Sequence, residues 1–273
     1  MAAPIAAVNQ KHRLPMNDQS ASPNSPDSDP GQPLVEHLIE LRSRLLRSTV
    51  AVGVLFLPLF YFANDLYVYL SSPLRAYLPE GTSMIATEVA SPFLTPFKLS
   101  LVSAIFIAMP YILHQIWAFI APGLYSNEKR VAFPLLISSI LLFYAGIAFA
   151  YYVVFPLVFA FFTGVAPEGV TIMTDINRYL DFVLKLFFAF GLAFEIPIAT
   201  MLLVWSGATT PESLRQKRPF VILGCFIVGM LLTPPDVVSQ ILLAVPMWLL
   251  FEAGIIFSIV LTGKDENAEA STD

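Results

Sequence analysis

Long apolar runs, separated by short loops that carry most of the charge, constrain this chain more than any other feature. A helix needs about 20 predominantly apolar residues to cross a bilayer. Hydrophobic residues make up 56% of the 273 positions and charged residues only 13%, whereas soluble domains carry about 25% charged residues. The sequence therefore predicts an all-α polytopic membrane protein with six transmembrane helices, at about residues 45–63, 98–119, 131–162, 179–205, 220–232 and 237–261.

The predicted spans differ in length. The third, 131–162, would be about 48 Å long against a hydrocarbon core of about 30 Å, so we expect it to tilt, to kink at Pro156 or to project from the membrane. The fifth would be only about 20 Å long, and the uninterrupted apolar part of the sixth, 237–251, is also short. Two short helices side by side would thin the bilayer or be covered by another subunit.

The two ends of the chain differ from the predicted membrane domain, 34–263. Residues 1–33 are rich in Pro, Ser, Asn and Asp, and such a composition buries too little apolar surface to offset the entropy of ordering. We predict a disordered extension there, and no apolar segment follows Lys11 or Arg13 to indicate a cleaved signal peptide. Residues 264–273 are predicted to form a short acidic tail.

The stretch between the first two spans, 64–97, is broken by prolines and glycine. It is too interrupted to cross a bilayer and too apolar to be a free linker. We expect a folded cap of short helices on the far side of the membrane. The interrupting residues are Pro73, Pro79, Gly81, Pro92 and Pro96.

The basic residues indicate the orientation, because loops rich in Lys and Arg stay on the cytoplasmic side. Four basic residues fall on one side of the predicted spans: Arg75, Lys98, Arg178 and Lys185. The other 11 fall on the opposite side: Lys11, Arg13, Arg42, Arg44, Arg47, Lys129, Arg130, Arg215, Lys217, Arg218 and Lys264. Both termini are therefore predicted to be cytoplasmic.

Two glutamates stand among these cytoplasmic basic residues. Glu128 lies in the loop WAFIAPGLYSNEKR, 117–130, where it either balances its basic neighbours as a solvated side chain or attracts a basic ligand from the cytoplasm. Glu40 lies four residues before Arg44 on a predicted helix, so it either pairs with that arginine or binds a ligand. The residues alone leave both alternatives open.

A third glutamate, Glu195, is predicted to lie well inside the fourth span. A charged group at that depth costs at least about 2.5 kcal/mol, so Glu195 should face a partner, a water-filled hollow or the bundle interior. The alternative is a protonated side chain bonded to a carbonyl that Pro197 leaves without its helical donor. The sequence does not identify the group that faces it.

Catalytic and metal-binding patterns are missing from the sequence. The single cysteine, Cys225, cannot form an internal disulfide. The three histidines, at positions 12, 37 and 114, do not have metal-ligand spacing. Neither HExxH nor GxSxG occurs. We therefore predict neither an enzyme nor a metal or cofactor site.

Six segments, taken in order, resemble the TatC family, the receptor subunit of the twin-arginine protein translocase. The resemblance covers about 34–263 and implies a six-helix, concave, glove-like bundle with a periplasmic cap and two short final helices. It also implies the inner membrane of a Gram-negative bacterium. The segments are HLIELRSRLL, MIATEVASPFLTPFKL, WAFIAPGLYSNEKR, FPLLISSILLFYAGIAFAY, KRPFVILGCF and GMLLTPPDVVSQ.

The resemblance implies a function as well. TatC proteins bind the twin-arginine signal peptides of folded proteins at the cytoplasmic face, and with TatB and TatA they direct export driven by the proton-motive force. The family's signal-binding glutamates fall on Glu40 and Glu128, with Arg42 and Phe119 in the same motifs. Its intramembrane glutamate falls on Glu195, and its periplasmic motif residues fall on Pro73 and Asp236. The resemblance favours the binding alternative for both cytoplasmic glutamates.

Partners should cover the short helices. We expect single-span TatB or TatA to lie against Phe226 and Met230 of the fifth helix and near Gln240 of the sixth. This implies a hetero-oligomeric membrane complex that holds several copies of the chain and does not bind nucleic acid. A proton-coupled small-solute transporter remains the alternative, because it would explain Glu195 and Pro197, but the two halves lack the repeat that such folds often carry.

Overall fold

The structure, a computed structural model, describes residues 32–77, 84–120, 129–165, 173–233 and 237–269. Residues 1–39 form a separate unit, of which only the first turns of α1 are described. The second unit comprises residues 40–273. The described backbone is helical apart from turns and one isolated β-bridge. The helices are α1 (Gln32–Tyr61), α2 (Ala63–Tyr77), α3 (Ser91–Ile120), α4 (Lys129–Phe149), a π-helical segment (Ala150–Val154), α5 (Phe155–Gly164), α6 (Ile176–Ala193), α7 (Ile196–Trp205), α8 (Pro211–Gln216), α9 (Arg218–Leu232) and α10 (Val237–Glu269).

Five helical segments of the described chain are long and apolar enough to cross a membrane, and the prediction of an all-α class is confirmed. Each lies close to a predicted span. The remaining predicted span, the fifth (220–232), is the 15-residue helix α9, which is apolar but short, as expected. The five segments are His37–Tyr61, Ser91–Ile120, Phe133–Gly164, Ile176–Trp205 and Val237–Val260.

Prolines interrupt the third and fourth spans. The π-helical segment ends just before Pro156, which is near the start of α5. Proline lacks an N–H and its ring crowds the carbonyl four residues earlier, and a π-turn relieves both problems. The predicted break at Pro156 therefore takes the form of a local change in helix type. Pro197 acts similarly, because α6 ends at Ala193 and α7 begins at Ile196.

The last two helices differ in length more than we predicted. Helix α9 ends at Leu232, and the next residue, Thr233, is extended because it precedes Pro234. Helix α10 continues through Glu252, past the apolar stretch 237–251, and its apolar part reaches Val260. The predicted sixth span, 237–261, therefore agrees with this apolar part, although its uninterrupted stretch, 237–251, is short. A glutamate with a partner does not end a helix, and Glu252 has one in Arg218.

The predicted cap between the first two spans contains one helix in its described part, α2, and Pro73 lies within it. The chain then pairs with the start of α6: Ile85 N donates to Thr174 O and Ile176 N donates to Ile85 O. Tyr179 of α6 donates its hydroxyl to Leu70 O of α2 at 2.9 Å. The first two bonds join the stretch before α3 to the start of α6, and the third joins α2 to α6.

Helix α6 lies at the centre of the largest apolar cluster, with Phe190, Leu180 and Leu186 fully buried. Membrane helices gain little from the hydrophobic effect when they associate, so close packing through small residues replaces it. A Cβ added at Gly146 of α4 would stand 2.4 Å from Phe190 O, and one at Gly254 of α10 would stand 2.9 Å from Pro197 Cα. Both glycines therefore allow neighbouring backbones to touch.

Candidate functional site

The guanidinium of Arg44 is the centre of a polar cluster where α1 meets the end of α3. It donates to Glu40 Oε1 from Nε at 2.9 Å and from Nη2 at 2.6 Å. Nη1 donates to Gln115 Oε1 at 3.3 Å, and Nη2 also donates to Ala118 O at 3.1 Å. The Glu40–Arg44 pair, one of the two alternatives that the spacing of four residues left open, is thus present, and Arg44 also bonds to two acceptors on α3.

Ala118 O can accept a bond from Arg44 because it lies in the last turn of α3. The last four carbonyls of a helix have no N–H partner within the helix, and the C-terminal end carries a partial negative charge. Ala118 O is one of these carbonyls, because α3 ends at Ile120. Arg44 therefore caps α3 while it holds α1 against it. This bond was not predicted from the sequence, which gives no signal for contacts between distant segments.

The other predicted signal-binding residues lie at different distances from Arg44. Phe119 is half-buried and directly follows Ala118 on α3. Arg42 is exposed, and two helical residues from Glu40 it points about 200° around α1. Glu128 lies outside the described residues, and α4 begins one residue after it.

The exposure of the pair determines what it can do. The Glu40 side chain is 37% exposed and that of Arg44 is 21% exposed. Both bonds from Arg44 to Glu40 reach the same oxygen, Oε1. A carboxylate accepts at two oxygens, so Glu40 can bind a second donor through Oε2 without losing Arg44.

Glu195 lies at the break between α6 and α7, and its partner is Ser139 of α4. The Ser139 hydroxyl donates to Glu195 Oε2, and Ser139 is 2% exposed. Oε1 is buried and has no hydrogen-bond partner among the described residues. The sequence left this partner open. The available signal was a serine within an apolar run of another span, since such side chains often bond across helices.

A second intramembrane glutamate is also paired. Arg218, at the start of α9, donates from Nη2 to Glu252 Oε2 of α10 at 2.5 Å, and the Glu252 side chain is 18% exposed. From the sequence, Arg218 was expected in a cytoplasmic loop, and its pairing with Glu252 was not predicted. The missed signal was Glu252 itself, because a carboxylate in a span needs a partner.

Asp175 organises the opposite ends of α3 and α6. Its Oδ1 accepts from the backbone N–H groups of Asn177 and Arg178, and its Oδ2 accepts from the hydroxyl and the N–H of Thr87. The Thr87 hydroxyl above all, together with the backbone donors, lowers the pKa of Asp175 to about 2. Nearby, Lys98 Nζ lies 2.5 Å from Asp181 Oδ1, joining the same two helices.

The predicted partner face on α9 is exposed. Phe226 is 36% and Met230 is 51% exposed. Gln240 is half-buried near the start of α10, where its carbonyl would be 3.4 Å from a Cβ on Gly229. Asp236 lies outside the described residues, and of Pro73 the structure describes only the helical backbone. Among the described residues, no group of three His, Cys, Asp or Glu side chains could hold a metal ion.

Comparison with known proteins identifies the family. The family model described as "Sec-independent protein translocase protein (TatC)" matches residues 36–246. The chain is 66% identical over 243 residues to the Sec-independent protein translocase protein TatC of Azotobacter chroococcum, covering 89% of this chain and 95% of the relative. It is 59% identical over 238 residues to the TatC protein of Escherichia coli K12, covering 87% and 92%.

A solved structure agrees with these sequence matches. The crystal structure described as "Twin Arginine Translocase Receptor- TatC" superimposes with a TM-score of 0.76 at 40% sequence identity, covering 83% of this chain and 99% of the solved one. The match agrees with the all-helical membrane fold described above. The chain belongs to the TatC family of Sec-independent protein translocase proteins.

Proposed function

We propose that this chain receives twin-arginine signal peptides where α1 meets the end of α3, and that it directs their folded cargo to export. In this proposal the site faces the cytoplasm, both termini are cytoplasmic, and the membrane is the bacterial inner membrane. The chain acts with TatB and TatA and uses the proton-motive force. It performs no chemical step on the peptide.

The observation that carries the proposal is the group of oxygen acceptors that binds the Arg44 guanidinium. One guanidinium already has three acceptors here, from Glu40, Gln115 and Ala118. Oxygen acceptors grouped in this way suit the planar fork of arginine, and a lysine ammonium cannot reproduce the same bonds. A signal arginine would bond to Glu40 Oε2, or would take the place of Arg44 on Oε1.

Charge alone would give weak binding. An exposed ion pair contributes about 0–1 kcal/mol, and two such pairs leave the affinity far below that of a receptor. Phe119, which follows Ala118 on α3, is half-buried and keeps part of its apolar side chain exposed near the same end of α3. The apolar stretch of a signal peptide would add about 25 cal/mol for each Å² that it buries.

Glu128 completes the proposed site. The loop that contains it leaves α3 at Ile120, two residues after the Ala118 acceptor, and ends at Lys129 where α4 begins. Chain connectivity therefore keeps Glu128 within a short loop of the Arg44 cluster. Two carboxylates in this region match the two guanidinium groups of a twin-arginine motif.

The partners are proposed for the exposed side of α9. Helix α9 has 15 residues, about 22 Å, and a bare short helix would force the bilayer to thin. Phe226 and Met230 are exposed there. Photo-crosslinkers at these positions and at Gln240 should capture TatB or TatA, and capture of lipid alone would contradict this part of the proposal.

The test is co-purification with two peptides. The full chain, solubilised in mild detergent, is mixed with a labelled signal peptide that carries paired arginines, or with the same peptide carrying paired lysines. We expect the arginine peptide to co-purify with the chain and the lysine peptide to be lost, because lysine keeps the charge and loses the fork. Equal retention of both peptides would contradict recognition of arginine.

A further inference from the structure

The contact between α4 and α6 is built from three matched pairs of residues. Ser139, Phe143 and Gly146 follow one another at steps of four and three on α4, so they lie on one face of that helix. All three meet residues on α6 or at its end: Glu195, Gly191 and Phe190, respectively. As the residue numbers increase along α4, the numbers of their partners decrease along α6, as expected for two antiparallel helices in a fixed register.

The Phe143–Gly191 and Gly146–Phe190 pairs set this register by close packing. A Cβ on Gly146 would stand 2.4 Å from Phe190 O, and a Cβ on Gly191 would stand 2.7 Å from Phe143 Cε2. A glycine on each helix thus receives either the backbone or the ring of the other. Phe143 and Phe190 are fully buried, so neither helix can slide without displacing a large side chain.

Ser139 lies one turn beyond Phe143 in this register. Its hydroxyl donates to Glu195 Oε2. Glu195 lies in the short break between the end of α6 at Ala193 and the start of α7 at Ile196. Glu195 makes no side-chain cap to α7. Within the described residues, the serine is therefore the one hydrogen-bond donor to this carboxyl group, and Oε1 remains buried without a partner.

From this geometry we infer that Ser139 is a positioning residue for Glu195 during translocation. Its hydroxyl holds Oε2 at a height fixed by the Gly146–Phe190 contact and leaves Oε1 as the atom that exchanges hydrogen bonds. The inference uses export as one readout and to that extent rests on the proposed function. It assigns no role to Ser139 in binding the signal peptide.

The chain provides a matched control. Ser138 is on the same helix, is only half-buried, and donates its hydroxyl to Pro134 O in its own helix at 3.0 Å. Ser138→Ala removes the same atoms as Ser139→Ala without touching Glu195. The two serine variants are compared in the wild-type background and in a Glu195→Gln background, at matched amounts in membrane vesicles.

Export of a twin-arginine reporter by these vesicles is the first readout. Ser139→Ala should lower export about tenfold, the equivalent of one hydrogen bond to a buried carboxyl group, and Ser138→Ala should not lower it. In the Glu195→Gln background the same Ser139→Ala change should have less than a twofold effect (about 0.4 kcal/mol), because the interaction is already altered. Equal losses in both backgrounds, or a Ser139→Ala variant that exports like Ser138→Ala, would overturn the inference.

Infrared difference spectroscopy of the purified chain gives a readout that does not depend on export. The carboxyl band of Glu195 is identified by its absence in Glu195→Gln. Ser139→Ala should move this band and Ser138→Ala should leave it in place. An unmoved band in Ser139→Ala would overturn the inference, whether or not the chain binds a signal peptide. A failure of this inference can therefore be told apart from a failure of the proposed function.

A pair of variants of equal shape guards against misfolding. Ser139→Thr keeps a hydroxyl, whereas Ser139→Val has the same shape without one. The threonine variant should export more than the valine variant and should keep the infrared band closer to its wild-type position. Identical export and identical bands in the two variants would contradict a role for the hydroxyl.

Discussion

Helices α1 and α6 are both apolar and of membrane length, yet they contact the rest of the protein in different ways. Between 40 and 61, α1 has one buried side chain, Ser48. Half of α6 is buried, nine residues of 18. Polar bonds from Arg44 and a bond from Ser100 to Leu59 O hold α1, whereas α6 packs backbone to backbone against α4.

This difference separates a binding region from a scaffold. The apolar side chains that α1 exposes must face lipid or another chain, and the end of α1 near Arg44 carries the proposed signal site. Helix α6 positions Glu195 and therefore needs a fixed register. Mutations in the scaffold should change the stability of the whole domain, and mutations at the end of α1 should change binding first.

The largest expected effect is at Gly146. Gly146→Ala places a Cβ against Phe190 O, which is backbone and cannot move aside, so we expect the variant to lose about 1–3 kcal/mol or more of stability. Gly53→Ala on α1 is the control, because nothing lies within 4 Å of its added Cβ. It should be neutral or stabilising by up to about 1 kcal/mol. Thermal unfolding in detergent measures both, and similar melting temperatures would contradict the comparison.

The next effect is at the Arg218–Glu252 pair. Arg218→Ala leaves the largely buried Glu252 carboxyl group without its partner, and we expect a loss of about 2 kcal/mol, between the values for exposed and buried pairs. Lys217→Ala changes the adjacent exposed basic residue and should have little effect. The double variant Arg218→Met/Glu252→Leu should regain most of the loss. If it is as unstable as Arg218→Ala, the pair is not what holds α9 to α10.

These interactions show where prediction from sequence succeeded and where it failed. The span positions follow from residues near each other in the chain and were predicted, and the Glu40–Arg44 pair, four residues apart, was one of two alternatives that the sequence left open. The partners Ser139, for Glu195, and Arg218, for Glu252, lie 56 and 34 residues away. They depend on the register between helices, which close contacts at glycines determine and hydropathy does not encode.

A smaller and pH-dependent effect is expected at Asp175. Its folded pKa of about 2 lies below the unfolded value of about 3.9. The stability it contributes is therefore complete above about pH 4 and is lost as the pH falls through about 2. Asp175→Asn should flatten the loss of melting temperature between pH 4 and pH 2, and Thr87→Val should flatten it partly. An unchanged pH profile in Asp175→Asn would show that other groups dominate.

The smallest effect on stability is expected at Arg44. Arg44→Ala removes the bonds from α1 to Gln115 and Ala118, at about 1 kcal/mol. It should speed proteolysis near the start of α1 more than it lowers the melting temperature. Arg42→Ala, which changes an exposed arginine on the other side of the helix, is the control. Equal proteolysis rates for the two variants would show that Arg44 does not hold this end of α1.

The most direct test of the account is crosslinking of a labelled twin-arginine signal peptide to purified variants of the full chain. We expect Glu128→Gln to weaken crosslinking without unfolding the protein and Glu128→Arg to abolish it. Glu40→Ala should be milder, because Arg44 already bonds to that carboxylate. A wild-type crosslinking yield in Glu128→Arg would contradict recognition of the signal arginines at this end of the domain.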